Sequence, residues 1–292
     1  MFLDQDTLAR VMKLELEAKK VVKGYLSGMH RSSQHGFAIE FAQHREYTPG
    51  DDIRHIDWKV FARKERFYLK QYDLETNLLC WFVVDCSDSM NYSSGKISKY
   101  DFASQAIAVL SYLVLHQGDR VGLARFSDRI NDFLSPTGNQ AKWRDLLKIL
   151  SDALAQAPSK IGPCLHLLAE RFQQRGLVMV FSDFFDDIEE ILHGLKHLAF
   201  QGHEVVVFHI LDRAEIEFPF YRSTLFHGLE TPEEILTDPK GIRDSYLEAF
   251  NAFRAALEVK CRAMKIDYVM LVNDENLAQI IGSYLYQRDF RK

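Results

Sequence analysis

Two apolar strands of this chain end in acids, and the residues around those acids are of the kind that hold a hard cation. The first reads "VVDCSDSM" and sets Asp85, Ser87 and Ser89 in a D-x-S-x-S pattern. The second reads "VFSDFFD" and carries Asp183. Alternate residues of an extended segment project to one side, so one carboxylate and two hydroxyls can converge while a neighbouring strand adds a second carboxylate. All are hard oxygen donors, which suit Mg2+ or Mn2+ in octahedral geometry at about 2.0–2.2 Å. Two carboxylates balance a divalent charge and the hydroxyls add none, so the ion stays Lewis-acidic toward one more oxygen ligand. A plainer reading makes Ser87 and Ser89 caps of the following helix and Asp85 a turn former. The pattern alone is weak; on a buried strand, beside a second strand ending Ser-Asp, it favours the metal.

Those acids meet only if the strands that carry them are neighbours. "LLCWFVVD" (78–85) and "GLVMVFSD" (176–183) are continuous apolar runs, as strands buried on both faces are. "RVGLARFS", a short "DFLSP", "HEVVVFHILD" (203–212) and "DYVMLVN" read as further strands, and "RFYLKQYDLE" alternates as a strand should. Helices fit 98–116, 140–155, 163–174, "EEILHGLKHLAF", "IRDSYLEAFNAFRAALEVKCRAMK" and a last stretch to about Arg288. An amphipathic helix over about 6–26 opens the chain, with Leu8, Val11, Met12, Leu14 and Leu16 at roughly helical spacing. The segment 213–239, with Pro219, Pro232 and Pro239 among aromatics, breaks the rhythm and reads as an irregular insertion covering the sheet edge. Strands alternating with helices predict an α/β fold, a mostly parallel sheet with helices on both faces. Functional groups then gather beyond the carboxyl ends of the strands, at the topological switch point. The expected organisation is an N-terminal helix and charged segment over 1–75, packed on an α/β domain over 76–292.

The charged segment centres on "HREYTPGDDIRHIDWK", His44 to Lys59. As an enzyme site it would use Asp51, Asp52 and Asp57 as acid/base groups. No nucleophile or oxyanion donor of recognisable spacing stands nearby. As structure, Arg45, Arg54 and Arg63 pair with those acids while Tyr47, Ile56 and Trp58 pack on the domain. The favoured reading is a staple that locks this segment to the sheet.

Composition excludes several classes. A net charge of −5 and a pI near 6.1 give no pull toward nucleic acid or an anionic membrane. Cys80, Cys86, Cys164 and Cys261 form no C-x-x-C pair, which predicts reduced, buried thiols in a cytosolic protein. His30, His35, His44 and His55 read as unrelated histidines rather than a metal set. The N-terminus has no apolar signal core, and the longest apolar run, 106–115, is half the roughly 20 residues of a membrane span. The expectation is a soluble, cytoplasmic protein without membrane insertion.

The D-x-S-x-S strand end joined to Asp183 resembles the metal-ion-dependent adhesion site (MIDAS) of von Willebrand factor type A domains. In that family a Thr from a loop before a later helix joins the shell. The matching segment here, "SKIGPCLHLLAERF", puts Ser159 in the Thr position, with Thr137 of "SPTGN" as the fallback. "GFAIEFAQHREYTPGDDIRHIDWKVFARKERFYLKQYDLETN" ahead of "VVDCSDSM" is similar to the domain-of-unknown-function 58 family, bacterial and archaeal proteins with a von Willebrand A-like domain. The resemblance runs from about Gly36 to the C-terminus, through Glu40, Arg45, Pro49, Gly50, Asp51, Asp52, Asp57, Trp58 and Glu75, then Gly118, Asp119 and Arg120. It implies a von Willebrand A-like, Rossmann-type sheet. Family members often sit beside MoxR-type AAA+ ATPases, which implies a cofactor or adaptor role toward such an ATPase or its substrate. Many relatives begin with membrane-spanning helices, which this sequence lacks.

The function expected is therefore a non-enzymatic protein-binding module. Mg2+ (or Mn2+) held by Asp85, Ser87, Ser89, Ser159 and Asp183 would accept a Glu or Asp carboxylate of a partner protein. The alternative is a metal-dependent hydrolase or phosphotransferase using the same strand ends. Haloacid-dehalogenase-like chemistry wants an acid two places after the first, where this chain has Ser87; Asp88 lies three on. Neither a G-x-x-x-x-G-K-[ST] loop nor a G-x-S-x-G elbow is present. A structural subunit with a vestigial metal site is the remaining reading.

Overall fold

The structure of the chain, a computed structural model, describes residues 5–29, 41–46, 60, 66–72, 78–152, 157–230 and 233–289. Helix α1 (Gln5–Met29) is followed by a small antiparallel pair, β1 (Phe41–Glu46) with β2 (Tyr68–Tyr72). The staple predicted for His44–Lys59 falls almost wholly outside the described residues.

From residue 79 the α/β rhythm takes over. The strands are β3 (Leu79–Asp85), β4 (Arg120–Phe126), β5 (Ile130–Thr137), β6 (Leu177–Ser182) and β7 (Glu204–Leu211). The helices between them are α2 (Lys99–His116), α3 (Trp143–Ser151), α4 (Ile161–Arg171) and α5 (Ile188–Phe200). A short α6 (Arg213–Glu217) leads to a hairpin of β8 (Thr224–His227) and β9 (Glu234–Thr237). Helix α7 (Pro239–Ala263), β10 (Asp267–Val272) and α8 (Leu277–Asp289) complete the chain.

Six strands form one sheet in the order β10-β7-β6-β3-β4-β5, parallel except for the antiparallel edge strand β5. This is the expected α/β architecture, a mostly parallel sheet with helices on both faces. Strand β3 is central because all seven of its residues are apolar or end-of-strand and all are buried. Its side chains alternate between two cores. Cys80, Phe82 and Val84 join the layer built with α2, α3 and α8. Leu79, Trp81 and Val83 join the layer built with α4 and α5, where α7 adds Leu257 and Cys261. All four cysteines are buried and free.

Two expectations are corrected. Among the described side chains of α1 the buried ones are Val11, Ala18 and Val22, seven and four apart and so on one helical stripe, while Met12 and Leu16 are exposed. The 213–239 segment, expected to be irregular, carries α6 and the β8–β9 hairpin among its described residues, and the hairpin strands pair with each other and with neither edge of the six-stranded sheet.

Candidate metal centre

The chain runs from β3 to β4 on one side and returns to place β6 on the other, so the switch point lies between β3 and β6. Asp85 ends β3 and Asp183 follows Ser182 at the end of β6. Both acids are closed from solvent.

Asp85 is saturated with donors. Its Oδ1 accepts from the Ser87 amide at 3.0 Å, and its Oδ2 accepts from the Ser159 and Ser182 hydroxyls, each at 2.8 Å. The Ser87 hydroxyl adds a further bond to it and lies 3.2 Å from the Ser89 hydroxyl. Ser89 in turn hydrogen-bonds to Asp183. The five predicted residues, Asp85, Ser87, Ser89, Ser159 and Asp183, are thus one cluster. Ser87 precedes a short 3-10 turn (Asp88–Asn91) but makes no side-chain cap, so the plainer capping role is not what the serines do. Thr137 sits opposite Val121, near the start of β4 and at the far end of the sheet from Asp85, and its hydroxyl accepts from the Asn139 amide.

Backbone bonds fix the loops that carry these groups. The Asp88 amide donates to the Ala157 carbonyl at 3.2 Å, and Lys160 donates to the Ser127 carbonyl at 2.9 Å. The Ile161 amide at the start of α4 donates to Asp186 Oδ2 at 3.0 Å, tying the Ser159 loop to the Asp183 loop. Phe184 turns the chain just after Asp183 with φ of 53°, a left-handed conformation rare for a bulky side chain. Such strain is held by its surroundings: Phe184 is fully buried and its amide donates to the Ser182 hydroxyl at 2.9 Å.

Three charged residues that sequence reading missed complete the site. Lys99, the first residue of α2, is 1% exposed, with its Nζ 2.7 Å from Asp183 Oδ2 and 2.5 Å from Glu215 Oε1 of α6. A cation at a helix N-terminus opposes the helix dipole, so a lysine opening the apolar run "KYDFASQAIAVL" was a readable sign of a buried counter-charge. Glu215 and Glu230 lie in the 213–239 segment, where no pattern marked them. The Glu230 Oε2 accepts from the Ser159 amide at 3.2 Å.

The two strand-end acids differ in charge. Burial, reinforced by the Asp183 charge, pushes the Asp85 carboxyl up to about 7. Burial also opposes ionisation of Asp183, but the Lys99 ammonium outweighs it and holds that carboxyl below its ordinary value. Burial raises Glu215 as well.

The donor set fits a hard divalent cation. The Ser87, Ser89 and Ser159 hydroxyl protons are directed to carboxylates or to one another, which leaves oxygen lone pairs for an ion. Asp85, Asp183, Glu215 and Glu230 set against one ammonium leave three negative charges unmatched when all are ionised. Among the described residues no group of three or more His, Cys, Asp and Glu side chains is arranged to hold a metal, so such an ion would rest on two carboxylates and serine hydroxyls.

Comparison with known proteins gives the chain a family and a similar fold. The model of a family described as "Protein of unknown function DUF58" matches residues 43–256, more than half of the chain. An uncharacterized protein of Mycobacterium tuberculosis strain H37Rv, Rv1480, is 29% identical over 288 residues, covering 96% of this chain and 89% of the relative. An aerotolerance-related membrane protein from Bacteroides fragilis is similar in structure, with a TM-score of 0.50, 16% identity and coverage of 74% of this chain and all of that one. The conserved hypothetical protein BatB of Bacteroides thetaiotaomicron is similar at a TM-score of 0.45 and 16% identity, over 72% of this chain and 98% of that one.

Proposed function

This chain belongs to the DUF58 family, and from that membership we propose that it is a non-enzymatic protein-binding module whose docking point is a Mg2+ site at the ends of β3 and β6. The observation that carries the reading is the convergence of Ser87, Ser89 and Ser159 with Asp85 and Asp183 in one closed hydrogen-bonded cluster. When bound there, Mg2+ supplies an open coordination position that accepts a carboxylate oxygen.

The chain's own groups do the rest. Asp85 and Asp183 supply the opposing charge, the serine hydroxyls supply neutral oxygens, and Lys99 keeps Asp183 ionised and in place. Both Asp85 oxygens are already engaged, which disfavours the use of this carboxylate as a nucleophile. Phe185, 67% exposed beside Asp183, borders an apolar groove of about 490 Å3 lined by Tyr246, Phe250 and Phe253. An acidic residue flanked by apolar ones on a partner protein suits that surface, because water excluded around the carboxylate strengthens its attraction to the ion. The family resemblance supports a MoxR-type AAA+ ATPase, or its substrate, as that partner.

Affinity capture in Mg2+, in EDTA and with Asp85→Ala tests the reading. A protein retained only by the wild-type chain in Mg2+ supports it. The same proteins retained under all three conditions move the docking point elsewhere.

A further inference from the structure

Three histidines meet between α4 and α5. His193 and His197 are four residues apart, on one face of α5, and His166 of α4 reaches both. Its Nδ1 lies 2.7 Å from His197 Nδ1, and its Nε2 lies 3.0 Å from His193 Nδ1. The His166 ring stands at 69° to His193 and 49° to His197, with centroids 4.6 and 4.9 Å apart. Each pair of facing nitrogens is thus a hydrogen bond with one hydrogen in it. His193 is exposed and the other two are half-buried, so solvent protons reach the triad.

The triad can hold four ring hydrogens at most with both bonds intact. Each contact takes one, and the two outward nitrogens, Nε2 of His193 and of His197, take one each. Three neutral imidazoles carry three, so one added proton fits. A second sets two N–H groups face to face across one contact, and that contact breaks. Gln201, 3.4 Å from His197 Nε2, suits either state because its amide presents oxygen or NH2. Glu190 on α5 and Glu170 on α4 favour protonation, while Glu189 is engaged by Lys260 of α7. Burial and the two neighbouring histidines outweigh those acids and hold His166 below its ordinary value.

The contact that breaks lies on a tight seam. A Cβ on Gly194 of α5 would lie 2.8 Å from Leu165 Cβ of α4, so the helices touch almost backbone to backbone. The Ile161 amide, at the start of α4 and two residues after Ser159, is tied to Asp186 just ahead of α5. Repulsion at the rim of this seam therefore acts on the helix that the Ser159 loop leads into.

We infer that His166, His193 and His197 form a pH-sensitive latch across the α4–α5 seam, closed with up to one added proton and released by the second. Release loosens α4 and the Ser159 loop ahead of it. The inference stands apart from the metal reading, since no residue of the latch belongs to that site.

Amide hydrogen exchange of the full chain without added metal tests it, read by mass spectrometry at pH 7.5 and pH 5.5 and corrected for intrinsic exchange. Protection of α4 is expressed relative to β6, which removes changes in global stability. In wild type this ratio is expected to fall about 10-fold at pH 5.5, the scale of two like charges about 3 Å apart in water. His166→Gln removes the middle ring and is expected to abolish the fall. His116→Gln, at the end of α2 and outside the triad, is expected to retain it. No fall in wild type, or a fall that persists in His166→Gln, overturns the latch. Nuclear magnetic resonance of wild type gives a reading that needs no variant. The α4 amide signals should move with the second step of the triad's ring titration, and any other order overturns the latch as well.

Discussion

Lys99 Nζ lies 2.7 Å from Asp183 Oδ2, and neither side chain exceeds 2% exposure. An ammonium is therefore part of the centre and offsets one of its carboxylates permanently. Removing one partner of a buried pair leaves an uncompensated charge and typically costs roughly 3–5 kcal/mol. Lys99→Met is expected to lose stability on that scale in urea denaturation with EDTA, since Asp183 and Glu215 then face each other unneutralised. Mg2+ should recover part of the loss in the variant; no recovery would detach Lys99 from the cation site.

Ser159 connects the α4 loop to Asp85 through one hydroxyl. Ser159→Thr keeps that hydroxyl and is expected to keep Mg2+ binding. Ser159→Ala removes it and should weaken binding about 10-fold, in line with the loss of a supporting ligand. A calorimetric titration of both variants separates the hydroxyl from the size of the side chain.

His209 reports on the same end of the sheet through pH. It is buried on β7 with its Nδ1 2.6 Å from the Tyr268 hydroxyl, and burial pushes it down to about 4 from an ordinary 6.5. A base with a depressed value in the folded state contributes stability in full above pH 6.5, and loses it as pH falls toward 4. The loss amounts to roughly 3 kcal/mol when complete. Asp85, its carboxyl raised to about 7, gains stability over the same range, so the His209 contribution is read as a difference: from pH 7 to pH 4 wild type should lose stability relative to His209→Gln in thermal unfolding.

Gly162 sets how closely α4 approaches α5. A Cβ there would lie 2.6 Å from the Glu190 backbone carbonyl oxygen, which cannot swing aside as a side chain can. Gly162→Ala is expected to destabilise the chain by about 1–3 kcal/mol, as overpacking does. Because Ser159 sits three residues earlier, the same variant should weaken Mg2+ binding. Unchanged binding beside lowered stability would mean the Ser159 loop is positioned without α4.

Much of the sheet was legible because buried parallel strands such as "LCWFVVD" and "LVMVFS" are unbroken apolar runs. The cluster of five side chains was legible because spacing on a strand end and the family resemblance both point to them. Thr137 was the weaker alternative, and strand register places it at the opposite end of β4. The hairpin at 224–237 was not legible: Pro219 and Pro232 disguise two four-residue strands whose alternation is too short to stand out. Glu215 and Glu230 went unseen for the same reason, since their roles arise from tertiary approach and not from spacing along the chain.

Titration calorimetry of the full chain with Mg2+ at pH 7.5, beside Asp85→Asn, tests the central claim most directly. The account predicts one Mg2+ bound per wild-type chain and no binding by the variant. Mg2+ at 100 times its dissociation constant should also stabilise wild type by about 2.7 kcal/mol. A wild-type chain that binds no Mg2+ at millimolar concentration, or a variant that binds it equally well, would contradict a metal centre at Asp85.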